Sequence, residues 1–406
     1  MMTSKLAFER VFSALLITQF RWLWSSMFFS SMSMGVRMLA QGWLVLEITD
    51  SAFWVGTAAG IQGLGVVGFG ILGGTIVDRF DKKKILVTLH LCNAVLVVSI
   101  GALILSGEIE LWHILISALL QGMVMATQIP SVNSMVYQIV GPDRLLNAMA
   151  ARLLAMNVSR IVGSIIAGFI IVKIGIGFCY MFSGIASLAG MILLVFIKSG
   201  FHSSIANENF WLSTSKGLQY IWSTPTIKRL LLVSLIMETF GFSHLIILPV
   251  IAKDVLNVDA FGLGILSASS GLGATISTLG VAALGNFKNK GMLLTVTAMF
   301  SGVSLLIFAF SQWFFLSMII VAWIGGSLMA YDVTMGTLLQ LIARQDMRGR
   351  VLGLYGLTFG FTPLGGFIVG WVASVLSAPI AVAAGGFIIT AYLSKTSRIL
   401  IRIKAD

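Results

Sequence analysis

The stretch LGGTIVDRFDKK, Leu72–Lys83, carries a long apolar run into a turn and then into a basic cluster. LGVAALGNFKNK, Leu279–Lys290, does the same 207 residues later, keeping the Leu, a Gly, the Phe and the final Lys in register. A second pair, QIVGPDR from Gln138 and QLIARQD from Gln340, recurs at an offset of 202. Two separate segments that repeat at nearly the same spacing mark a duplicated chain, each copy supplying half of the fold.

Outward from these stretches the sequence is apolar almost throughout. Of 406 residues, 58% are hydrophobic and 10% charged, and the mean hydropathy is +0.99. A soluble chain carries roughly 25% charged residues to cover its surface, so this one is suited to a bilayer. Disordered, collagen-like and disulfide-rich secreted classes are excluded by the same composition. A window of about 19 residues predicts twelve spans, at 22–46, 52–75, 85–106, 111–135, 147–171, 174–197, 228–251, 262–285, 291–310, 313–340, 350–374 and 378–394. Each is long enough to cross about 30 Å of hydrocarbon at 1.5 Å per residue. The first has no short apolar core followed by a cleavage site, so it is expected to be retained. The expected fold is all-α and integral to the membrane, with twelve transmembrane helices in two pseudo-symmetric six-helix halves. The halves are 1–197 and 228–406, joined by a cytoplasmic linker, 198–227. Parallel halves of this kind are a transporter architecture.

The net charge of +11 could suggest nucleic acid, but the positive residues lie in loops. With the N-terminus in the cytoplasm, 21 of the 26 Lys and Arg fall on that side, against Lys173 and Lys253 outside; Arg37, Arg152 and Arg160 fall within spans. This asymmetry predicts that both termini are cytoplasmic and that no nucleic acid is a partner. Cys92 and Cys179 sit in apolar runs, where sulfur is a small hydrophobe. His90, His113, His202 and His244 show no metal or triad spacing. GLGILSASSGLGATISTLG, Gly262–Gly280, lacks the Lys-Ser/Thr of a phosphate loop and reads as close helix packing. Neither a cofactor nor an enzymatic activity is expected.

GGTIVDRFDKKK, Gly73–Lys84, resembles the loop between helices 2 and 3 of the major facilitator superfamily. WLVLEITDSAFWVG, IPSVNSMVYQIVGPDRLLNA, SKGLQYIWSTPTIKRLLL and RGRVLGLYGLTFGFTPLGG are similar to segments of its macrolide-efflux and enterobactin-exporter branch. Where such exporters often carry Gly-Pro in helix 5, this chain has Gly163 and Ser164. Gln121 and Gln128 stand in helix 4, where many proton antiporters carry arginine. Within the signature loop, Gly73 and Gly74 remove side chains where a helix must lie close to a partner. Asp78 could meet a helix N-terminus and nearby arginines. The expectation is a conformational latch of Gly73, Gly74, Asp78 and Arg79 with Arg348 and Arg350 at the start of helix 11. Lys82, Lys83 and Lys84 are assigned to topology.

Charges inside spans carry the most weight, since an unpaired ion at bilayer depth costs at least about 2.5–3.5 kcal/mol. Arg37, Arg160 and Glu238 are deep, at about 22, 20 and 14 Å from the predicted cytoplasmic ends. Arg152, at about 8 Å, can reach the interface. Arg152, Met156 and Arg160 share one stripe of helix 5, with Asn157 beside it. Arg37, Asn157, Arg160 and Glu238 are the expected substrate cavity; the competing reading pairs one arginine with Glu238. Two deep cations against one deep carboxylate leave positive charge for an anionic substrate. Glu238 is the first candidate for proton coupling, with Asp332 and His244 behind it. For Asp332 a pairing with Arg344 or Arg348 stays open, and His244 reads equally as a satisfied polar residue.

The sequence therefore predicts a secondary transporter working by alternating access. The expected activity is proton-coupled export of an amphipathic, anionic small molecule, siderophore or drug-like, by a monomer in a bacterial inner membrane. Its alternative is proton-coupled uptake of a small metabolite.

Overall fold

The computed structural model describes residues 13–198, 200, 210–284, 287–345 and 347–403, and among these no strand occurs. The chain begins with α1 (Thr18–Thr49), α2 (Ala52–Arg79) and α3 (Lys82–Ser106). Next come α4 (Leu111–Leu145) and α5 (Asn147–Lys173). They form one helical stretch interrupted by Gly141, at φ 71° and ψ 176°, a conformation open to glycine. Pro142, which has no N–H to continue the ladder, follows at once. α6 (Ile176–Val195) closes the first set, and α7 (Phe210–Ser223) is a short helix in the predicted linker. The second set is α8 (Pro225–Val255), α9 (Ala260–Ala283), α10 (Lys290–Ala309), α11 (Phe314–Ile342), α12 (Arg348–Val375) and α13 (Ala378–Leu400).

Eleven of these helices are apolar and long enough to cross a membrane on composition alone. α1, with 32 residues, or about 48 Å of length, makes twelve. Its five serines, two glutamines and Arg21, Arg37 and Glu47 together lower its apolarity.

Helix ends are fixed by local chemistry. Asp81 caps α3 by accepting from the Lys83 and Lys84 amides at 2.8 and 3.3 Å, and it accepts from Gly200 at 2.8 Å. Lys82 is fully buried, and Lys83 donates through Nζ to the terminal carbonyls Val195 (3.0 Å) and Ile197 at the end of α6. That basic cluster is therefore structural as well as topological. It neutralises carbonyls that a helix C-terminus leaves unpaired.

Contacts divide the chain into two compact units, Met1–Leu44 with Gly65–Ile205, and Val45–Leu64 with Ala206–Asp406. α2 thus gives its first turns to the second unit and the rest to the first. Matching helices pair in each: α3 packs on α6, and α10 on α13. In the first unit α2 meets α4 through glycine, since a Cβ at Gly73 would lie 2.9 Å from Thr127 Oγ1 and 3.1 Å from the Ala126 carbonyl. In the second, α9 meets α11 as closely: Gly273 and Gly325 have no room for a Cβ against the backbones of Ala322 and Ser270. The small-residue run Gly262–Gly280 does the packing expected of it, bringing backbones together where lipid offers no hydrophobic drive.

Candidate functional site

In the first unit the polar interior is built on α1, α5 and α6. Arg37, 4% exposed, lies about 28 Å along α1 and donates to Gln41 Oε1, one turn on, at 2.9 Å. Tyr180 of α6 is buried and near enough to interact with it electrostatically. Arg160 lies about 20 Å along α5. Gly35 lets the two helices meet there, a Cβ at Gly35 falling 3.6 Å from the Arg160 Cα. Among the described residues Arg160 makes no hydrogen bond or ion pair. Asn157, 4% exposed, has an unpartnered Nδ2, and buried Gln121 has an unpartnered Oε1. Gln128 is spent on Ser30 at 2.8 Å. Asp78, Asp81, Glu108, Glu110 and Asp143, the acidic residues in or beside this unit's described helices, all lie near helix ends. Arg152 does not reach for the interface: it donates to Asn133 of α4.

The second unit is the reverse. Glu238, 2% exposed and about 20 Å along α8, sits in a π-helical turn, Met237–Phe242, a rare geometry that recurs at functional sites. Thr362 of α12 donates to its Oε2, while its Oε1 has no partner. Asp332 of α11 accepts from the Tyr355 hydroxyl of α12. The two carboxyls are near enough to act on each other electrostatically, and Tyr331 lies within the same field. Among the described residues neither carboxylate forms an ion pair. The Lys and Arg of this unit's membrane helices, Lys228, Arg229, Lys253, Lys290, Arg348, Arg350, Lys395 and Arg398, lie near helix ends. His244 is buried and donates from Nδ1 to the Gly241 carbonyl at 2.6 Å, closing the π-turn on itself.

Of the expected latch, Gly73 is buried against α4, Arg79 and Arg348 are exposed, and Arg350 reaches Met347 Sδ at 3.2 Å. Gly74 and the Asp78 side chain lie outside the described residues. Sequence reasoning passed over Gln41, Tyr355, Thr358 and Thr362. A signal was present for each: Gln41 follows Arg37 by four residues, and Tyr355, Thr358 and Thr362 recur at the three-and-four spacing of one helix face.

The fold and these polar layers define a membrane transporter of the major facilitator type. The family described as transmembrane secretion effector matches residues 10–405, and the chain belongs to it. Among curated relatives, the enterobactin exporter EntS of Shigella flexneri is 21% identical over 370 residues, covering 91% of this chain and 88% of its own length. EntS of Escherichia coli O139:H28 is 20% identical over the same shares. Among solved structures, the nucleoside transporter NupG superposes with a TM-score of 0.71 at 13% identity, covering 95% of this chain and all of its own. A point mutant of NupG gives 0.73 at 13% identity, covering 94% of this chain and 99% of its own.

Proposed function

We propose that the protein exports an amphipathic, anionic small molecule, siderophore or drug-like, from the cytoplasm in exchange for protons. The supporting observation is the first unit's interior, where Arg37 and Arg160 lie deep with no carboxylate beside them and Asn157 offers an unused donor. A guanidinium kept in hydrocarbon without a counter-ion is costly; an anionic substrate supplies that counter-ion and takes charge-assisted hydrogen bonds. The family and the exporter relatives support outward transport. In this reading the chain is a monomer in the bacterial inner membrane with both termini cytoplasmic, and it performs no chemical conversion.

Glu238 carries the coupling proton. With its carboxyl open to an acidic exterior it takes up a proton; open to the cytoplasm it releases it. Coupling follows if proton and substrate favour opposite states. Purified protein in vesicles with a pH gradient should accumulate a catecholate or aromatic carboxylate, and Glu238→Gln should abolish accumulation while retaining exchange at equal pH. Accumulation by Glu238→Gln with an unchanged pH response would remove Glu238 from the mechanism. A cysteine at Lys288 should be labelled by impermeant reagents only from the cytoplasmic side; labelling from outside intact cells would reverse the orientation.

A further inference from the structure

Three side chains of α12, Tyr355, Thr358 and Thr362, lie on one face of the helix, and each is hydrogen bonded to another helix of the second unit. Tyr355 donates to Asp332 of α11, Thr362 donates to Glu238 of α8, and Thr358 shares a 2.8 Å hydroxyl bond with Ser234 of α8. α12 is not continuous under this stripe. It runs as Arg348–Thr358 and Phe361–Val375 with a turn at Phe359 and Gly360. Tyr355 and Thr358 belong to the first segment and Thr362 to the second, so each segment is held by its own carboxylate. Just beyond the turn, Gly365 packs so tightly on the Thr239 backbone that a Cβ has no room. Thr239 directly follows Glu238 within the π-turn, which makes this contact a fixed point beside the carboxylate.

We infer that Tyr355 and Thr362 are positioning residues that transmit the protonation of Asp332 and Glu238 to the two segments of α12, bending the helix about its Phe359–Gly360 turn. The inference rests on the proton-coupling role proposed for these carboxylates. A hydrogen bond to an ionised carboxylate is roughly twice as strong as one between neutral groups. Adding a proton to Glu238, whose Oε1 is free to take it, therefore loosens the grip on Phe361–Val375. A proton on Asp332 does the same for Arg348–Thr358. The Ser234–Thr358 bond joins neutral groups and does not change, so it serves as the hinge pin between the two switched bonds.

The ionisable groups around these bonds are Glu238 and His244 on α8, Tyr331 and Asp332 on α11, and Tyr355 on α12. α12 itself also carries Arg348 and Arg350 at its start, and α7, packed on that segment through Gly217, brings Lys216 and Tyr220. α9 and the first turns of α2, whose Gly63 meets Pro363, bring none. α10 brings only Lys290 at its start, and α13 meets the π-turn through Gly385 and Ile389, with Tyr392, Lys395 and Arg398 farther along. His244 is committed to Gly241.

The test places spin labels at the exposed positions Leu357 and Trp371, one on each segment, in the full-length protein with Cys92 and Cys179 replaced by Ala. The distance between labels should shift between acidic and alkaline pH. Tyr355→Phe and Thr362→Val should each remove most of the shift and lower gradient-driven transport roughly tenfold, the value of one hydrogen bond to a charged group, while exchange at equal pH persists. Thr362→Ser, which restores the donor, should rescue both readouts; Tyr355→Phe preserves the ring and guards against a folding artefact. A full pH-dependent shift in Tyr355→Phe, or a shift abolished by His244→Gln alone, overturns the stripe. Glu238→Gln with Asp332→Asn separates the two layers. If this pair leaves pH-driven transport intact, the proton-coupling reading itself fails. If it abolishes pH-driven transport while Tyr355→Phe and Thr362→Val retain the full shift, only the role of α12 fails.

Discussion

Arg37 and Glu238 are both buried side chains at depth in long apolar helices, yet their surroundings are opposite. Around Arg37 the first unit supplies an amide oxygen from Gln41 and a phenol from Tyr180, and elsewhere in its interior it holds a second arginine, Arg160. Around Glu238 the second unit supplies a hydroxyl from Thr362 and a second carboxylate at Asp332. A structural ion pair would place acid and base together, because a charge held alone in low dielectric is expensive. Under the function proposed above, the two halves divide two tasks, one suited to an anion and the other to protons.

The sharpest way to break this division is to put the wrong sign into the first unit. Arg160→Glu should reduce export to background with the protein still inserted and monodisperse, as judged by vesicle transport and size-exclusion chromatography; export retained at half its normal rate would mean that Arg160 faces no substrate. A smaller effect is expected from Asp78→Asn. If Asp78 latches rather than binds, transport should fall several-fold while substrate affinity, measured by calorimetry, stays unchanged; unchanged transport would leave the loop with topology alone. The smallest effect belongs to Arg152, whose guanidinium is engaged by Asn133. Arg152→Ala should cost about 1–3 kcal/mol of stability through the orphaned partner, visible as a lower melting temperature, with transport per folded molecule nearly constant.

Much of this was legible from the residues. The apolar runs announced twelve helices, because hydropathy and length set membrane spans almost directly, whereas the compact units take 45–64 into the second unit, which the expected halves 1–197 and 228–406 did not foresee. Gly73 and Gly273 were readable as contact points for the same reason: only small residues let backbones touch. The bond from Gly200 to Asp81 and the bond from Lys83 to the end of α6 were hidden, since they join residues more than a hundred positions apart. The charged residues of the candidate site were visible as costly exceptions in apolar helices. Their partners were not, because Tyr355, Thr358 and Thr362 are ordinary in composition and gain meaning only when α8 and α11 lie alongside. The π-turn at Glu238 also escaped, for Met237–Phe242 contains no proline to mark it; the break at Phe359–Gly360 did carry a signal, since Pro363 has no N–H to give to the Phe359 carbonyl one turn back.

The division of charge is tested most directly by binding an aromatic carboxylate and its methyl ester to the purified protein. The account predicts that the carboxylate binds roughly 10- to 100-fold more tightly than the ester, the value of a hydrogen bond to a charged group. Arg37→Gln or Arg160→Gln should erase that preference, and Glu238→Gln should leave it intact. Equal binding of the two ligands, or a preference that survives both arginine substitutions and disappears in Glu238→Gln, would contradict it.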